Sequence, residues 1–154
     1  MATTLTCMLA LAALSGCASP GSDPEVDQAQ IETMLEEYLP VLGRAYGERD
    51  SALIERWAVP KEVARVKARI RELEERGQRY EPQFSTVAVE SVSTWNYSNA
   101  LVTTVEEWNV RSYPLGADEP LNEALGQRSR VKYQLKRKDD GWVVLFRELD
   151  ATLE

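Results

Sequence analysis

The period of the hydrophobic residues changes once along this chain, near residue 80, and that change restricts the fold more than any other feature. Before it, apolar residues recur every three or four positions: Ile31, Met34, Leu35, Tyr38, Leu42 and Ala45, then Val63, Val66, Ile70 and Leu73. Such spacing places one apolar stripe along a helix. After the change, Val and Thr alternate with polar residues, as a strand with one buried face requires. Helices followed by consecutive strands indicate an α+β domain, with N-terminal helices packed on one face of a curved four-stranded antiparallel sheet.

The boundaries follow from local chemistry. A first helix is expected over 30–47, kinked or broken near Leu39 because Pro40 lacks a backbone donor, and stopped by Gly47. Asp50 or Ser51 caps a short second helix over 51–58, and Pro60 opens a third that runs to Arg76. Strands are expected over 84–95, 100–113, 128–137 and 142–149, with a long connection at 114–127. Asp139-Asp140-Gly141 is a hairpin signal. The run Trp142-Val143-Val144-Leu145-Phe146 is apolar on both faces, which predicts an interior place in the sheet. The expected core is Leu35, Leu39, Leu42, Leu53, Trp57, Val66, Ile70, Val102, Tyr133, Leu135, Val144 and Phe146.

The N-terminus carries the sharpest motif. Residues 5–14 form an apolar run about half the length needed to span a bilayer, and suited to the core of an export signal. Leu14-Ser15-Gly16-Cys17 follows, and resembles the bacterial lipobox. Small residues let the extended backbone enter a peptidase cleft, and the thiol accepts diacylglycerol. The resemblance implies a signal peptide over 1–16, lipidation of Cys17 and membrane anchoring by two or three acyl chains. Residues 1–5 hold no Lys or Arg, a departure from the usual signal. Ala18 in place of Asp implies, by resemblance to Gram-negative lipoproteins, the outer membrane facing the periplasm. Pro, Gly and Ser within 17–28 read as a flexible tether, and the folded domain is expected over 29–150.

Composition narrows the chemistry. The 154 residues hold no histidine, which removes the commonest general base and metal ligand. Cys7 and Cys17 are the only cysteines, so no disulfide or Cys/His metal spacing is expected within the domain. A net charge of −7 argues against nucleic-acid binding. Lys61, Arg65, Arg69 and Arg76 make a basic stripe on the third helix, read first as a solvated face with pairs such as Glu72–Arg76. No glycine pattern for a phosphate or cofactor is present, and no cofactor or metal is expected.

Glu106-Glu107 is the candidate for ligand or proton chemistry, because strand alternation sends one of the two inward, and Trp108 shares the face of Glu106. Trp95, Trp108 and Tyr133 join Glu106 as candidate ligand-binding residues. The competing reading is a solvated carboxylate paired with Arg130, Lys132 or Lys136, and aromatics that are plain core.

The segment "NALVTTVEEWNVRSY" (99–113), a long loop, and "SRVKYQLKRKDDGWVVLFREL" (129–149) are similar to the IMS domain of plastid-division proteins and its bacterial relatives. "EEYLPVLGRAYGERDSALIERWA" (36–58) suits the first two helices of that superfamily. The resemblance implies the cone-shaped, nuclear transport factor 2-like fold over about 29–150, without a catalytic signature. Two functions are therefore expected to compete. One is a non-catalytic, membrane-anchored envelope module that binds a protein or peptide, or a second copy, through the sheet face. The other is a small enzyme or ligand carrier using the cone cavity with Glu106 or Glu107.

Overall fold

The computed structural model describes residues 24–154. Cys17, the signal and the first part of the tether lie outside them. Helix α1 (Pro24–Gly47) begins within the expected tether, so the chain is already helical at 24–28. Asp27 explains the early start: it is buried, and its carboxylate accepts a hydrogen bond from Arg137 of the sheet. Two acids in the first turn, Glu25 and Asp27, also suit the positive end of the helix dipole.

The helix runs through Pro40 without a break. Leu39 and Leu42 on either side are buried, whereas Pro40 itself faces solvent. Their burial, at about 1.5–3 kcal/mol each, outweighs the lost backbone bond. A 3₁₀ turn (Ser51–Ile54), capped by the Asp50 carboxylate on the Ala52 N–H, stands where a second helix was expected. Helix α2 (Pro60–Glu75) then starts at the proline, as expected.

The sheet consists of β1 (Gln78–Trp95), β2 (Asn99–Pro114), β3 (Asn122–Lys138) and β4 (Gly141–Leu153), antiparallel in the order β1-β2-β3-β4. The strands outrun their expected limits. β1 starts six residues earlier than 84, β3 starts at Asn122 within the expected loop, and β4 passes residue 150. Glu81 and Arg111, and Arg111 and Glu123, face each other across these extensions, so their pairing comes from cross-strand partners rather than an alternating apolar pattern.

β4 is an edge strand, which corrects the interior placement. Its apolar residues are covered differently. Trp142 and Val144 enter the core, residues 57–59 lie alongside Val144 as a short parallel bridge, and the Arg65 guanidinium sits 4.0 Å over the Phe146 ring. Within the bridge, Val59 N–H donates to Val144 C=O (2.9 Å) and Val144 N–H to Trp57 C=O (2.7 Å).

The core lies between α1 and the concave face of the sheet. Ile31, Leu35, Tyr38, Leu39 and Leu42 pack against Val102, Val131, Tyr133, Leu135 and Val144. Leu53, Trp57 and Phe146 are all partly buried, the first two at the rim of the core and Phe146 outside it. Helix and sheet approach closely at Gly43, where a Cβ would stand 2.6 Å from the Pro82 carbonyl oxygen.

Candidate functional site

Alternation along β2 turns Thr104, Glu106 and Trp108 to the concave face and Glu107 outward. Glu106 is fully buried beneath the helices. Glu107 stands across from Arg128 and accepts a hydrogen bond from the Ser85 hydroxyl on the outer face.

Four side chains reach the Glu106 carboxylate. Trp108 Nε1 donates to Oε2 at 2.8 Å, and the Arg147 guanidinium donates to the same oxygen at 2.5 Å. The Tyr133 hydroxyl donates to Oε1, with the Thr104 hydroxyl at 3.5 Å. Arg147 Nε also donates to the Tyr133 oxygen at 3.0 Å, closing a ring of three groups. Burial raises the Tyr133 pKa well above its ordinary value, against the pull of Arg147, so the phenol stays a donor. Burial would lower Arg147, but the Glu106 carboxylate beside it holds the guanidinium charged.

Arg147 arrives there through a bulge. Leu135 pairs with Val144 and Gln134 with Phe146, so β4 carries one extra residue at Leu145. Beyond it the facing is reversed: Phe146 leaves the core and Arg147, opposite Tyr133, enters it. Helix α2 holds the backbone at this point. The Glu62 carboxylate, buried, is hydrogen-bonded by Arg65 at 2.9 Å and by the Arg147 backbone amide. Arg65 in turn donates to the Arg147 carbonyl at 3.4 Å. Burial raises the Glu62 pKa, with Arg65 and Arg147 opposing. The Tyr38 hydroxyl lies buried near the same charges, and burial raises its pKa too.

Of the expected ligand-binding residues, Glu106, Trp108 and Tyr133 converge and Trp95 does not. Trp95 sits at the end of β1, half-exposed and far along the sheet from Glu106. Sequence reading missed Arg147, Glu62 and Asp27, three charged residues that the fold buries wholly or largely. The basic stripe of α2 is largely paired: Arg65 with Glu62, and Arg69 and Arg76 with Glu72.

The arrangement restricts what Glu106 can do. Both oxygens are occupied by donors of the chain itself, so a substrate or a proton would have to displace one of them. An open groove of about 1440 Å³ lies elsewhere, between the start of α1, the 55–58 segment and the β3–β4 turn. Val26, Thr33, Glu37, Trp57, Asp139 and Val143 are among its walls, and no member of the Glu106 ring is.

No protein-family profile and no curated protein matches the chain. Solved structures do. The intermembrane space region of the chloroplast protein ARC6 superposes with a TM-score of 0.67 at 17% identity, over 80% of this chain and 95% of that one. A protein of the nuclear transport factor 2-like family from Streptomyces avermitilis gives 0.54 at 18% identity, over 85% of this chain and all of the other. A nuclear transport factor 2-like protein involved in plasmid conjugation also gives 0.54, at 8% identity, and this chain covers half of it. The fold is thus nuclear transport factor 2-like, and it resembles the ARC6 region. At these identities the likeness concerns fold alone.

Proposed function

We propose that the chain is a lipid-anchored module of a bacterial cell envelope that binds a protein or peptide without catalysing a reaction. Cys17, in Leu14-Ser15-Gly16-Cys17, is its acylated residue, and the outer membrane facing the periplasm is its place. The observation that carries the non-catalytic part is the saturation of Glu106: Arg147, Trp108, Tyr133 and Thr104 use the carboxylate as a structural acceptor. A general acid or base needs a free position next to the reacting atom. An enzyme or carrier using Glu106 would need one of these donors to give way to its ligand.

The outer face of the sheet is the proposed surface for a partner or a second copy. Leu101, Thr103 and Val105 lie on β2 on this face; the Arg130–Glu90 pair reaches from β3 to β1 across that strand, and Lys132–Asp150 lies to the β4 side. Crosslinking in envelope extracts should yield a dimer or one discrete partner. Glu106→Gln, assayed below its melting transition, should keep both that product and the cellular phenotype. Loss of phenotype with folding, anchoring and crosslinking unchanged would favour the carrier or enzyme instead.

A further inference from the structure

The β2–β3 connection and the first residues of β3 form a tip over 114–127, with three leucines, three carboxylates and no Lys or Arg of its own. Leu115, Leu121 and Leu125 are 39%, 58% and 64% exposed. The tip is ordered by its own bonds. Leu115 N–H donates to the Gly77 carbonyl (2.8 Å), Leu121 N–H to the Ser112 carbonyl (2.7 Å), and Gly126 N–H to Asn109 Oδ1 (2.8 Å). Arg79 donates to the Ala117 carbonyl at 3.1 Å. Glu123 stands opposite Arg111, which holds it at 2.6 Å, and the exposed Leu121 and Leu125 lie two residues to either side of it. β4 ends opposite Arg128, so it does not flank residues 122–127.

The tip also has a place in the molecule. The start of α1 is tied to Arg137 at one end of the sheet, and Gly43 crosses Pro82 and Trp108 toward the other. The 24 residues of α1 span about 36 Å. The tip therefore lies at the end of the domain opposite the residues that lead back to Cys17.

We infer that this tip docks a partner protein through an apolar patch edged with Lys or Arg. Three exposed leucines lie close together in sequence on this one tip, whereas apolar residues on a monomer surface are ordinarily scattered singly. Asp118 and Glu119 repel a second copy of the tip and favour a cationic surface, whereas Glu123 is paired with Arg111. Order before binding keeps the entropy cost low. This inference rests on the reading of the chain as a binding module, and specifies the chemistry of its partner.

The test uses the full chain and a short fluorescent peptide of alternating leucine and lysine, with a leucine–glutamate peptide as control. Anisotropy should report binding of the basic peptide only, weakened severalfold by raising salt from about 0.05 to 0.5 M. Leu121→Ser with Leu125→Ser should weaken it at least about tenfold, while Tyr97→Ser with Leu149→Ser, two exposed apolar residues away from the tip, leaves it unchanged. Equal affinity in the tip variant, or equal binding of the acidic peptide, overturns the assignment. Peptide binding lost while Cys17 is still acylated overturns the tip alone. Acylation absent while the tip still binds overturns the envelope reading alone.

Discussion

Glu106 shows how much one buried charge depends on its partners. Its removal would leave Arg147, only 25% exposed, facing Tyr133 without a counter-ion. Breaking such a pair from one side destabilises by about 3–5 kcal/mol. Chemical denaturation of Glu106→Gln should show a loss of that order, whereas Glu107→Gln on the outer face should change stability by less than about 0.5 kcal/mol. Arg147→Met combined with Glu106→Gln should lose less than the sum of the single changes, by about 0.5–3 kcal/mol. Two of the three groups of this ring, Glu106 and Tyr133, were legible in the sequence. Alternation around Glu106-Glu107 identified one inward carboxylate beside Trp108, and Tyr133 fell on an apolar face. Arg147 was hidden by parity: counting by twos from Val144 sends Phe146 inward and Arg147 outward, and the bulge at Leu145 reverses both. Nothing in a run of apolar residues announces a bulge.

Among the elements, the contact of α1 with β1 and that of α2 with β4 set the geometry. At Gly43 a methyl group would meet the Pro82 carbonyl, a backbone atom that cannot turn aside. Gly43→Ala improves helix propensity by about 1 kcal/mol, yet overpacking costs about 1–3 kcal/mol. The variant should therefore melt below wild type; a rise in Tm would refute the close approach. At the second contact, Glu62 has a pKa raised by burial, so its protonated form is favoured by folding. Its contribution is complete below the ordinary carboxylate range, near about 4.3, and is lost as pH rises through the raised value. The stability of wild type relative to Glu62→Gln, from urea titrations, should accordingly fall as pH rises from about 4 to 7. A difference that grows over that interval would contradict the burial argument. The helices and strands themselves were legible from period and caps. Their lengths were not, because β1 and β3 extend on partner strands, and α1 begins where Asp27 finds Arg137.

For the molecule as a whole, the fold class followed from one change of period, since helices before an antiparallel meander have few ways to bury both apolar faces. The order of strands was less accessible: β4 is apolar on both faces at an edge because α2 and residues 57–59 cover it. On the reading proposed here a binding domain is carried at a membrane, with the Leu-rich tip at its distal end. All of that depends on Cys17. Cells fed a radiolabelled fatty acid should therefore label the wild-type chain, which should sediment with membranes; Cys17→Ala should carry no label and move to the soluble fraction. Label on Cys17→Ala, or an unlabelled wild type that is soluble, would contradict the account.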